Sequence, residues 1–234
     1  MAIAQKIGGM KFSCASLIIG FLLVGGGRCY SQGITNLNFE SANVSGYSPG
    51  PIPTVDAFPD WSAYYGSSSD PTHSGSLSTV FYDGLSLGGA VVSVEDSNAP
   101  SPYGPIGGNY SALLWGSIQN AETTASIGQT GTIPSTAQSL VLWVGISEPE
   151  VSFDGQVLLL VDVSNAVNYT VYALDISPFA GQTGQLLFTA PVQSETILDN
   201  IQFSTSPIPE PSTLALCALG ALSLVWRLRK KSSE

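Results

Sequence analysis

Flat aromatic rings are the side chains of this sequence best suited to hold a ligand. Trp61, Tyr64 and Tyr65 fall between Ser45 and His73, a stretch rich in Pro, Gly, Ser, Tyr and Asp, and Tyr103 stands among prolines between Asn98 and Asn109. Loops this long in a compact domain are usually functional or wrapped over the core. In the functional case the rings would stack on pyranose faces while neighbouring Asp and Asn side chains bond hydroxyls. Packing is the commoner use of any one such ring. Trp115 and Trp143 lie inside apolar runs and read as core. Catalysis is poorly supplied. His73 is the sole histidine, in Pro71-Thr72-His73-Ser74-Gly75, which is no nucleophile elbow, and a lone His cannot build a His-rich zinc site. Paired carboxylates could hydrolyse a glycosidic bond, but no motif singles out a pair. The expectation is a protein that is not an enzyme.

Charge narrows the partners. All seven Lys and Arg residues lie near the ends: Lys6, Lys11 and Arg28 in front, Arg227, Arg229, Lys230 and Lys231 behind. From Gly33 to Trp226 there is none, while Asp and Glu recur throughout. Nucleic-acid binding relies on cationic side chains that displace counterions, so that role is excluded. Without Arg, a sugar site also lacks its best bidentate donor. Stability must come from apolar burial and backbone pairing. Carboxylates with no ammonium partner must be solvated, protonated or bridged by a cation. Cys14, Cys29 and Cys217 all sit in or beside the terminal apolar segments, which leaves the middle without a thiol nucleophile or a disulfide.

The element that must position these residues is an all-β domain over residues 34–206. Short runs of Val, Ile, Leu, Tyr and Phe alternate with Gly, Pro, Asn, Asp and Ser, and no amphipathic helix interrupts them. Strands are expected at Thr35–Ser41, Ser78–Tyr82, Ala90–Glu95, Tyr110–Trp115, Thr123–Ile127, Ser139–Ile146, Gln156–Val163, Asn168–Asp175, Gln185–Thr189 and Thr196–Phe203. The unbroken apolar run Val157 to Val161 suggests a strand covered on both faces. Ten strands suffice for a two-sheet antiparallel sandwich, a jelly roll by preference and an immunoglobulin-like sandwich as the alternative. Asn38-Phe39-Glu40 at the start and Leu198-Asp199-Asn200-Ile201-Gln202-Phe203 at the end resemble the opening and closing strands of the galactose-binding-like jelly roll, the scaffold of many carbohydrate-binding modules. In that family the last strand typically pairs beside the first. Some members hold a structural Ca²⁺ near that junction, and the resemblance puts Glu40 and Asp199 in the ligand positions. Asn200 stands where many members carry a second acid. The alternative is two solvated strand-end carboxylates.

The two ends read as addresses. Residues 1–33 have Lys6 and Lys11, an apolar run from Phe12 to Val24 and a glycine run, the order of a secretory signal peptide. Residues 207–234 begin with Pro207, Pro209 and Pro211, an extended spacer, and continue with an apolar run closed by Trp226 and a basic cluster. Within an expected helix over 213–228, the apolar run Thr213 to Trp226 gives about 21 Å at ~1.5 Å per residue, short of a ~30 Å hydrocarbon core unless Arg227 and Arg229 snorkel. The positive-inside rule leaves Lys230 and Lys231 in the cytoplasm and the domain outside. Pro209-Glu210-Pro211 with a short apolar helix and an Arg/Lys-rich end resembles the PEP-CTERM sorting signal of exopolysaccharide-producing Gram-negative bacteria. That resemblance implies recognition at Pro209, Glu210 and Pro211 by an exosortase, a membrane protease, after passage through the export machinery. The protein would be held at the inner membrane by its C-terminal helix before sorting, and then reach the cell surface or the extracellular matrix.

Three functions remain in view. The leading one is a non-catalytic surface or matrix protein that interacts with extracellular polysaccharide. A hydrated structural spacer without a ligand site is the second, and a polysaccharide hydrolase the third.

Overall fold

The computed structural model describes residues 33–117 and 123–208. The signal-peptide segment up to residue 32, the sorting motif Pro209, Glu210 and Pro211, the 213–228 helix and its flank at Trp226, Arg227, Arg229, Lys230 and Lys231 lie outside the described residues. No helix among the described residues is long and apolar enough to cross a membrane.

In chain order the elements are β1 (Gly50–Pro53), α1 (Thr54–Ala57), β2 (Ser62–Gly66), β3 (Thr79–Tyr82), β4 (Val91–Glu95), β5 (Ser111–Trp115), β6 (Thr124–Thr132), β7 (Ser139–Ile146), β8 (Glu150–Phe153), β9 (Gln156–Leu158), β10 (Val161–Asn165), β11 (Thr170–Asp175), β12 (Thr183–Ala190) and β13 (Glu195–Ser204). They form a β-sandwich of two antiparallel-dominated sheets. The larger runs β1-β3-β4-β5-β13-β7-β11-β10 and the smaller β2-β6-β12-β8-β9. Between the described strands only the short β3–β4 contact is parallel, and an isolated parallel bridge joins Gly33 to Thr132. Alternation in the sequence sets the faces: Leu140, Leu142 and Val144 of β7 turn inward to meet Leu174, Leu198, Leu114 and, from the smaller sheet, Ile127 and Phe188. Each such side chain contributes roughly 1.5–3 kcal/mol when fully buried. That core does the work salt bridges cannot do in a domain with no Lys or Arg.

Several expectations need correction. Thr35–Ser41 is a series of turns rather than a strand, with Asn36 and Phe39 at positive φ. Phe39 still reaches the core at 0 % exposure. The closing strand β13 is central, flanked by β5 and β7, and does not pair beside the opening segment. A single backbone bond links the two, from Ile201 N–H to Leu37 O at 2.9 Å, made at an irregularity in β13 where Asn200 takes φ 47°.

The run Gln156–Val163 is also not one covered strand. It splits into β9 and β10, the outermost strands of different sheets, and Val157 and Leu159 are exposed. The Ser45–His73 stretch is not a plain loop. It supplies β1, α1 and β2, and puts Ile52, Ala57, Phe58 and Trp61 into the core. Pro51 and Pro53 fit β1 because it is an edge strand, where a missing N–H costs no ladder bond.

Candidate functional site

The four aromatic residues proposed as a sugar platform do not converge. Trp61 is 4 % exposed, with ring centroids 5.7 Å from Phe39 and 6.0 Å from Phe188, and its Nε1–H donates to Asn36 O at 3.0 Å. Such a ring offers no free face to a sugar. Tyr65 packs against the core from β2, its neighbour Ala63 fully buried on the same side. Tyr64 turns to the opposite side of β2, where its hydroxyl accepts from Gln185 Nε2 at 3.1 Å. Tyr103 lies over the outer face of the larger sheet, stacked on Trp115 with centroids 5.3 Å apart, and its hydroxyl donates to Glu195 Oε2 at 3.1 Å.

Trp115 and Trp143 are not core residues. Both are half-buried on that same outer face. β13 fixes the register: Glu195 stands opposite Trp115 on β5, and Asp199, of the same parity, stands opposite Trp143 on β7. Trp143 is stacked on Tyr169 at 4.2 Å with the planes 10° apart. Tyr103 comes from the 98–109 loop, and Tyr169 from the tight turn between β10 and β11, beside β7. Between the pairs, Ile197 and Ile146 line a groove with the 99–106 loop and Asn168. It is an opening of about 430 Å³ that continues past Asn168 into a further 230 Å³ beside Ser147 and Tyr169.

A row of acids crosses the end of this face. Phe81 and Tyr82 of β3 stand beside Ser93 and Val94 of β4, so the next position places Asp83 beside Glu95. Glu95 stands opposite Ser111 of β5, and the Ser111 hydroxyl donates to Asp199 Oδ2 at 2.9 Å. Glu95 is fully buried, neither carboxylate oxygen has a hydrogen-bond partner, and Asp83 Oδ2 is orphaned as well. Burial first, and then the charges of Asp83 and Asp96, push the Glu95 carboxyl up to about 8. Asp199, 2 % exposed, is raised to about 6, chiefly by burial, with Glu40 adding to the rise against the donors Ser111 and Asn200.

Glu40 and Asp199 meet the same segment, residues 107–111. Glu40 Oε1 accepts from the backbone N–H of Asn109 at 2.7 Å and of Tyr110 at 3.1 Å, and Oε2 accepts from Asn109 Nδ2 at 2.8 Å. Gly107 and Gly108 let the chain pass this close: a Cβ at Gly107 would lie 3.0 Å from Asp199 Oδ2 and 3.1 Å from the Trp143 ring, and one at Gly108 would collide with the Glu40 carboxylate. Gly108 also sits at φ +55°, where a side chain is strained. Both side chains present hard carboxylate oxygens, of the kind Ca²⁺ prefers, and those of Glu40 already accept from Asn109 and Tyr110. Among the described residues, no three His, Cys, Asp or Glu side chains converge as a metal cluster. His73 is exposed on the 67–75 turn, its Nδ1 3.3 Å from Asp70 Oδ2.

Sequence reasoning missed Glu95, Asp83 and the two Trp–Tyr stacks. Parity was the available signal. In Leu140-Val141-Leu142-Trp143-Val144, Trp143 falls on the side opposite the leucines. Glu95, at the end of an apolar strand, offered no comparable clue.

No curated protein matches this chain in sequence. Among solved structures, a cyclase from Fischerella sp. TAU is 18% identical, with 73% of this chain and 94% of that one covered and a TM-score of 0.44. The enzymatically active domain of tailspike protein 4 of bacteriophage CBA120 is 11% identical, with 75% and 21% covered and a TM-score of 0.37. The family 11 carbohydrate-binding module of the cellulosomal cellulase Lic26A-Cel5E of Clostridium thermocellum is 9% identical, with 71% and 100% covered and a TM-score of 0.34. None of these similarities bears on ligand or chemistry. Residues 207–230 match the PEP-CTERM protein-sorting motif, and by that motif the chain is an exported protein, recognised by an exosortase and sorted at the membrane.

Proposed function

We propose that the domain is a non-catalytic surface or extracellular-matrix module that binds neutral polysaccharide in the groove on the outer face of the larger sheet. The observation that carries this reading is the pair of Trp–Tyr stacks, Tyr103 on Trp115 and Tyr169 on Trp143, on the face that holds the open groove. Flat rings held rigidly in advance lose little entropy on stacking against a sugar. Asn168 and Ser101 line the groove and can bond hydroxyls. The absence of Lys and Arg from Gly33 to Trp226 favours a neutral chain over a uronate-rich one, which the acidic domain would repel. The most perturbed carboxyls, Glu95 and Asp199, are buried away from any polysaccharide, which argues against their use as hydrolytic acids.

Calorimetric titration of the purified protein with neutral and uronate-rich polysaccharides tests this. Tyr103→Ala and Tyr169→Ala are each expected to weaken binding about tenfold, the worth of a ~1.4 kcal/mol ring contact. Binding to the uronate polymer alone, or unchanged affinity in both variants, overturns the assignment. No binding to any chain leaves a structural spacer.

A structural Ca²⁺ at Glu40 and Asp199 belongs to the same reading, since it would pin the 107–111 segment that reaches the Trp143 ring. Millimolar Ca²⁺ should raise the melting temperature by several degrees, about 2–4 °C per kcal/mol of stabilisation. Glu40→Gln should remove that part of the rise. A melting temperature indifferent to Ca²⁺ in the wild-type protein overturns it.

A further inference from the structure

We infer that Glu95 and Asp83 form a separate binding site for a divalent hard cation, of the Ca²⁺ class, at the junction of β3 and β4. Five buried side-chain oxygens among the described residues lack a hydrogen-bond partner, and three of them are here: both oxygens of Glu95 and Oδ2 of Asp83. A buried carboxylate is ordinarily satisfied by several N–H or O–H donors. Glu95, at 0 % exposure, has none. The nearest donors, the Ser93 hydroxyl and the Gly84 N–H, approach Glu95 and lower its carboxyl, but both are bonded elsewhere: Ser93 Oγ donates to Val94 O at 3.5 Å. Gly84 N–H donates to Ser93 Oγ at 3.0 Å, and Asp96 N–H donates to Asp83 Oδ1 at 3.0 Å. Tyr82 O–H donates to Asp96 Oδ2 at 2.7 Å, and Asn98 caps Asp96 Oδ1 through its backbone N–H at 2.6 Å and its Nδ2 at 2.9 Å.

The backbone is built around this junction. Asp83 sits at φ 47° immediately after β3, and its N–H donates to Val94 O at 3.0 Å, which ties the turn to the end of β4. Two acids are thus locked side by side. Among the described residues there is no Lys or Arg to neutralise them, and His73 lies against Asp70. With no third acid, His or Cys converging, the coordination would be completed by backbone carbonyl, hydroxyl and water oxygens. That donor set suits Ca²⁺ and not Zn²⁺.

The site is distinct from the calcium proposed at Glu40 and Asp199, and stoichiometry separates the two. Calorimetric titration of the purified full-length protein with CaCl₂ after chelator treatment should give two equivalents. Glu95→Gln, which is isosteric and removes the buried charge, should lose one of them, and Asp83→Asn should weaken the same equivalent at least tenfold. Glu40→Gln should retain it. Because Asp83→Asn leaves the Glu95 strand untouched, it serves if Glu95→Gln perturbs folding. A single equivalent that survives Glu95→Gln and Asp83→Asn but disappears in Glu40→Gln overturns this inference and leaves the first site standing. No binding in the wild-type protein overturns both.

Discussion

In excess chelator, the protein should lose stability as pH rises from about 4.5 to 8, opposite to the usual acid-side loss. The sign follows from Glu95. Its ordinary value of 4.5 is raised to about 8 in the folded state. Between those values the folded protein keeps a proton that the unfolded chain has released, so each added pH unit favours unfolding. Below about 4.5 both states are protonated and no penalty exists, and above about 8 the penalty is complete. At ~1.36 kcal/mol per unit it amounts to roughly 5 kcal/mol.

Asp199, raised from 3.8 to about 6 mainly by burial, acts in the same direction between those values, and so does the smaller rise at Asp83. Asp96 works the other way. Burial would raise it, but Tyr82 and Asn98 donate to it and bring it below its ordinary 3.8, so its contribution is lost only as pH falls in the acid range. Asp83 and Asp96 are the charged groups that act on Glu95 across β3 and β4, and neither they nor Asp199 on β13 opposes the trend above pH 4.5. Urea titrations at pH 5, 6.5 and 8.5 measure the effect directly. Glu95→Gln should flatten most of the slope and be the more stable protein at pH 8.5. A wild-type midpoint that stays constant across that range, or a Glu95→Gln variant with the wild-type slope, rules the argument out. An effect of this size is comparable to the whole stability of many domains, ~5–15 kcal/mol.

Strands whose apolar residues alternate were legible in the sequence. Ser139–Ile146 was read with its true ends, and Thr79–Tyr82, Val91–Glu95, Ser111–Trp115, Thr170–Asp175 and Glu195–Ser204 within a residue or two. In β7 the buried face sets the period, whereas β4 and β5 are buried at nearly every position and read as apolar runs. Edges were not legible, because an edge strand needs little burial. Val157 to Val161 is apolar enough for a buried strand, yet Asp154-Gly155 turns the chain in a two-residue hairpin between β8 and β9, both residues at positive φ. That dipeptide is among the strongest hairpin signals. It starts β9 at the end of the smaller sheet, and a break at Leu159-Leu160 sends β10 to the end of the larger one.

The candidate site was half legible. Glu40 and Asp199 both meet residues 107–111, from a turn and a central strand rather than from the two paired strands that the resemblance implied. Position in a long loop is no guide to exposure, as the buried Trp61 shows. Proline-rich chain can be driven inward by a few large apolar groups, as Phe58 and Trp61 are here, whereas a strand of a one-sided sheet presents half its residues outward whatever their size.

That exchange of roles has a measurable consequence, since Trp61→Ala should unfold the protein where Trp143→Ala should not. Trp61 is enclosed by Phe39 and Phe188, contacts that join the opening turns to β12 of the smaller sheet, and it supplies a donor for Asn36 O. Truncating it leaves a cavity that rigid neighbours fill only in part and removes one of the two donors to Asn36 O, a loss of about 3–5 kcal/mol. Trp143 is half-buried and rests chiefly on Tyr169. Its removal costs about one stacking contact, ~1 kcal/mol, and falls instead on the groove. Urea midpoints for the two variants, read beside polysaccharide binding, separate the cases. Trp61→Ala should show a large drop in midpoint and recover wild-type affinity in whatever fraction remains folded. Trp143→Ala should keep its midpoint nearly unchanged and bind about tenfold more weakly. The reverse pattern, a stable Trp61→Ala that no longer binds, would return the ligand to the Ser45–His73 segment and leave the outer face of the larger sheet without a role.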